Sequence, residues 1–86
     1  MKTGIILYVL GDIPQTPVPD LHAAVKKLKL RADRVEITSQ DSGHFDIHDA
    51  WWSLTAKGME NIVCRLAEFT PFGDLQLKDR ELRLCG

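Results

Sequence analysis

Asp41-Ser42-Gly43-His44-Phe45-Asp46-Ile47-His48-Asp49-Ala50-Trp51-Trp52 is the stretch whose reading decides the fold. It holds two of the three histidines, three carboxylates and both tryptophans. From His44 to His48 polar and apolar residues alternate: His44, Asp46 and His48 share one parity, Phe45 and Ile47 the other. That period of two predicts a half-buried strand following the turn residues Gln40-Asp41-Ser42-Gly43. Just upstream, Arg34-Val35-Glu36-Ile37-Thr38 alternates in the same way. The two runs therefore read as a hairpin. Opposed residues share a face, so Ile37 faces Phe45, with Gly43 available for a bulge. The same register sets Thr38 opposite His44 and Glu36 opposite Asp46.

On the amino-terminal side, Ile5-Ile6-Leu7-Tyr8-Val9-Leu10 is a continuous apolar run, as expected of a central strand buried on both faces. Three prolines stiffen the following connection, Gly11-Asp12-Ile13-Pro14-Gln15-Thr16-Pro17-Val18-Pro19. Leu21, Ala24, Val25 and Leu28 then form the stripe of a first helix, with Asp20 at its start and lysines toward its end. On the carboxyl side, Ile47, Trp51, Leu54, Gly58, Ile62, Leu66 and Phe69 fall on one helical row. They predict a long second helix from about His48 to Phe69, with Gly58 inside it. Leu75-Gln76-Leu77 and Leu82-Arg83-Leu84 give either a last hairpin or one bent strand. The resulting order, β-α-β-β-α-β, predicts an α+β two-layer sandwich of ferredoxin-like type, with strand 1 central and both helices on one face.

The 86 residues suit a single domain, and 44% hydrophobic with 27% charged residues is ordinary for a soluble globule. A net charge of −1 offers no global field toward nucleic acid or an anionic membrane. No segment approaches the roughly 18 apolar residues of a membrane span, and the apolar run near the start is too short for a secretory signal. The expected location is the cytoplasm. Cys64 and Cys85 lack CxxC partners and read as free thiols, Cys64 as a small core hydrophobe.

In this arrangement Glu36, His44, Asp46 and His48 occupy the open sheet face and form the candidate metal ligands, toward a divalent ion such as zinc, nickel or ferrous iron. His44 and His48 would stand about 13 Å apart on a flat strand, too far to share one ion. A wet polar face is the plainer reading of the same residues. The connection after strand 1 is a candidate ligand loop, because strand-to-helix connections lie at strand carboxyl ends, where ligands bind. Its Asp12 and Pro14 resemble the start of the small-molecule-sensing ACT domain, although Gln15 stands where that family has glycine; no ligand is carried over. Trp51 and Trp52 point about 100° apart on a helix, so both cannot face one core direction; they read as core and boundary residues or, more sharply, as one core residue and one at an edge for partner contact. Lys26, Lys27, Lys29, Arg31 and Arg34 form a basic segment that reads as a solvated helix face or, more sharply, a phosphate-binding patch.

No GxSxG, HExxH or phosphate-loop pattern is present. The expectation is a small non-enzymatic module that binds a protein or small ligand, as a homodimer. A metal-binding protein or metal-assisted hydrolase using His44, Asp46 and His48 is the alternative, and nucleic-acid binding through the basic segment comes third.

Overall fold

The computed structural model describes residues 2–11, 19–41, 46–70 and 74–84, without the side chains of 79–84. Its elements are β1 (Thr3–Leu10), α1 (Pro19–Lys29), β2 (Arg34–Ser39), α2 (Ile47–Ala56), β3 (Asn61–Phe69) and β4 (Leu75–Leu84). They form a mixed four-stranded sheet, order β2-β1-β3-β4, with two helices. β1 pairs parallel with both β2 and β3, and β4 returns antiparallel to β3.

This is an α and β domain, but not in the ferredoxin-like order. From β1 the chain crosses to β2 on one side, then passes back over β1 to β3 on the other. Crossovers of one hand running in opposite directions put their helices on opposite faces. Two apolar clusters record this. Ile6 and Ile62 pack with Ala50, Leu54 and Met59 under α2, flanked by Ile47 and Trp51. Ile5, Leu7 and Ala67 pack with Leu28 under α1, joined by Leu21, Val25, Val35 and Ile37. The expectation of both helices on one face is therefore corrected. Central β1 is as expected, because its consecutive apolar residues feed alternate faces.

The second correction concerns the opening stretch. Ile47–Ala56 is helical, so Asp46-Ile47-His48 is not a strand, and Ile37 pairs with Leu7 of β1. Phe45, its expected partner, lies outside the described residues. Helix α2 starts where Asp46 caps it: the Asp46 Oδ1 accepts from the Asp49 backbone N–H at 2.9 Å. The Asp49 Oδ2 accepts from the Asp46 N–H at 3.2 Å in return. This reciprocal box satisfies two otherwise orphaned donors.

The third correction is the helix end. Gly58 does not sit inside a long helix; at φ +87° it terminates one. Its N–H donates to the Thr55 carbonyl at 3.0 Å, and the Met59 N–H to that of Leu54 at 3.0 Å. These two bonds define a Schellman ending, and Met59 and Leu54 supply its usual apolar contact. Released from the helix, 61–69 becomes β3, next to β1, with Ile62 and Cys64 buried on one face and Ala67 on the other. Its register sets Ile6 beside Cys64 and Leu7 beside Arg65. At the carboxyl end the single-bent-strand alternative is what forms: β4 is continuous, with a register shift opposite Arg65 to Ala67.

Candidate functional site

Between the two caps, Ile47, Ala50, Trp51 and Leu54 recur at i, i+3, i+4 and i+7 and turn inward, Ala50 and Leu54 to full burial. Trp51 packs on that cluster, half-buried. Its neighbour Trp52 turns outward and is 55% exposed. An exposed indole usually samples several rotamers, but this one is held from two sides. Its Nε1–H donates to His48 Nε2 at 2.7 Å. Its ring meets Trp51 edge-on at 5.1 Å and 81°. The bond requires an unprotonated Nε2, so the neutral His48 imidazole carries its proton on Nδ1. The helical neighbours of Trp52 three and four residues away are His48, Asp49, Thr55 and Ala56, all exposed. Asp49 is the only formal charge among them, and it is engaged in the capping box. The surface is thus an exposed aromatic ring held by a hydrogen bond and a ring contact, with Asp49 the one formal charge among its helical neighbours.

The expected metal ligands are dispersed. Glu36 lies on the sheet face that α2 covers, not on an open one. Its Oε1 accepts from Lys57 Nζ at 2.8 Å and from Ser53 Oγ at 3.1 Å. Asp46 caps the other end of that helix. Ser53 lies seven residues beyond it, or roughly 10 Å along the axis. The Asp49 backbone N–H beside Asp46 holds its carboxyl below the usual carboxylate range. His48 serves Trp52, and His44 lies outside the described residues. Among the described residues, no three His, Cys, Asp or Glu side chains gather where they could hold a metal ion.

Asp12 and Pro14 also lie outside the described residues. The topology does place their connection at the carboxyl end of β1. Gly11, at φ +84°, is tied to the end of β2 by its N–H donating to Gln40 Oε1 at 3.0 Å. In the basic segment, Lys26, Lys27 and Lys29 occupy the last turn of α1, where they answer the negative end of the helix. All five basic residues are exposed. No helix among the described residues is long and apolar enough to cross a membrane.

Sequence reasoning missed the capping box and the Glu36–Ser53–Lys57 contact. The first had a signal, carboxylates at Asp46 and Asp49 with cap spacing. The second had none, since it depends on α2 crossing β2. Comparison with known protein families, curated proteins and solved structures finds no match for this chain.

Proposed function

We propose that this chain is a small non-enzymatic binding module that acts as a homodimer, with Trp52 as the anchor of its contact. The observation that carries the reading is the exposed indole that His48 and Trp51 hold. Interface energy concentrates in tryptophan, tyrosine and arginine anchors, and ordering a side chain on association costs about 0.5–1.5 kcal/mol. His48 and Trp51 have already imposed that order on Trp52. A second copy is the fitting occupant because an isologous contact sets each patch against itself. A strongly charged patch would repel its twin, whereas the surround of Trp52 is nearly neutral.

Size sets the strength. Stable interfaces bury about 800 Å² per partner, and a helix of ten residues is about 15 Å long and 10 Å across. This contact belongs to the small, weak class, with association between about 100 μM and 1 mM. Sedimentation equilibrium from about 20 μM to 1 mM tests it, with the mass rising toward twice 9.7 kDa. Trp52→Ala, a change at an exposed site, holds the mass at the monomer value. A wild-type chain that stays monomeric at 1 mM, or a dimer indifferent to Trp52→Ala, refutes the proposal.

A further inference from the structure

The α1 face of the sheet is covered unevenly. α1 lies over β1 and β2, and at the beginning of β3 Asn61 and Val63 remain half-buried. A cleft of about 250 Å³ opens there, lined by Thr3, Ile5, Asn61 and Val63 from the strands and by Leu28 and Arg31 from the end of α1. Its floor consists of two cross-strand pairs: Thr3 beside Asn61, and Ile5 beside Val63. The first pair is polar, with Asn61 Nδ2 donating to Thr3 Oγ1 at 3.5 Å. The second is apolar and continues onto Leu28. One end of the cleft therefore offers hydrogen-bonding groups and the other a dry surface.

Arg31 supplies the charge. It is exposed and has no carboxylate partner among the described residues. Asp33, two residues on, has an oxygen already engaged, accepting from the Thr3 backbone N–H at 2.8 Å. A guanidinium fork matches a carboxylate in plane and in spacing. Arg34 shares its face of β2 with Glu36, the face that α2 covers, and lies away from this cleft. We propose that this cleft binds a small monocarboxylate with a short apolar body, its carboxylate on Arg31 and its body over Ile5, Val63 and Leu28. A volume of about 250 Å³ corresponds to roughly eight waters at 30 Å³ each, which suits an acid the size of benzoate. The site lies across the sheet from Trp52, so it stands or falls independently of the dimer.

The test is a titration of the full chain with benzoate to about 10 mM, followed by amide chemical shifts. The expected result is saturable shifts confined to Thr3, Ile5, Leu28, Arg31, Asn61, Val63 and their neighbours. Arg31→Gln should weaken binding about tenfold, the scale of one charged hydrogen bond, while Arg34→Gln changes it less than about twofold. Benzyl alcohol, with the same ring and no charge, should give no saturable shift. Shifts that fail to saturate or that map elsewhere overturn the proposal. So do equal effects of the two arginine variants, benzyl alcohol binding as well as benzoate, or phenyl phosphate binding more tightly than benzoate.

Discussion

Gly58→Ala distinguishes a chain in which α2 stops from one in which it runs on to Phe69. Gly58 sits at φ +87°, and no atom lies within 4 Å of a Cβ built there. Adding a methyl group therefore creates no clash, and the whole cost is backbone. Forcing a residue with a Cβ into the left-handed region costs about 1–2 kcal/mol, and the smaller unfolded-state entropy of alanine returns about 0.4–1. The net expectation is a loss of up to about 1.5 kcal/mol. Were Gly58 inside a continuous helix, the same substitution would gain about 1 kcal/mol, so the two arrangements differ in sign. In a domain of this size a loss of about 1 kcal/mol lowers Tm by about 4–8 °C. Urea unfolding followed by far-ultraviolet dichroism measures it, with an unchanged m-value showing that only stability moved. Gly58→Asn, better tolerated at such a position, should lose less. A Gly58→Ala protein more stable than wild type by about 1 kcal/mol would refute both the Schellman ending and the strand that follows it.

Three further outcomes follow from neighbouring contacts. The folded pKa of Asp46 is lowered by its bond from the Asp49 N–H, so the stability it adds is complete above the ordinary carboxylate pKa of about 4 and is lost as pH falls through the lowered folded value. Asp46→Asn, which keeps a cap acceptor, should flatten that part of the Tm profile between pH 2 and 7; identical profiles for the two proteins would dismiss the cap. Cys64 is fully buried and burial raises its thiol pKa, so a maleimide should label it only after unfolding, and prompt labelling of the native protein at this residue would contradict the packing of β3. A Cβ on Gly4 would lie 3.0 Å from Leu54 Cδ1 and from Met59 Cγ, so Gly4→Ala should cost about 1–3 kcal/mol and Leu54→Ala about 2–5. The double variant should cost less than the sum, because removing Leu54 makes room for the methyl; strict additivity would argue against the contact.

The amino-terminal half was readable because each of its signals has one meaning. Ile5–Leu10 is apolar at every position, which suits only a strand covered on both faces. Leu21, Ala24, Val25 and Leu28 fit only the helical period, with Pro19 and Asp20 ahead and lysines behind. The choice of hairpin over crossover after β2 was not readable in that way. Arg34–Thr38 alternates whether its neighbour is Phe45 or Leu7, since a half-buried edge strand looks the same beside either partner. The cleft with Arg31 was invisible for a different reason. Thr3 and Asn61 are 58 positions apart and meet only through the parallel pairing of β1 with β3.

The stretch from Asp41 to Phe69 carries two superposed periods, and its caps decide between them. His44 to His48 alternates like a strand, and the row from Ile47 to Phe69 repeats like one helix. Neither pattern includes the ends. Asp46 and Asp49 have the spacing of a capping box, and Lys57-Gly58 that of a helix stop, so the bonds at the termini outweigh the apolar count. Once those two ends are fixed, the site follows by geometry. Successive residues turn about 100°, so with Leu54 directed into the core Trp51 lies about 60° away from it and Trp52 about 160° away. Trp52 must then face outward beside His48, four residues earlier. The histidine that parity placed as a metal ligand on a sheet thus becomes the brace of an exposed indole on a helix.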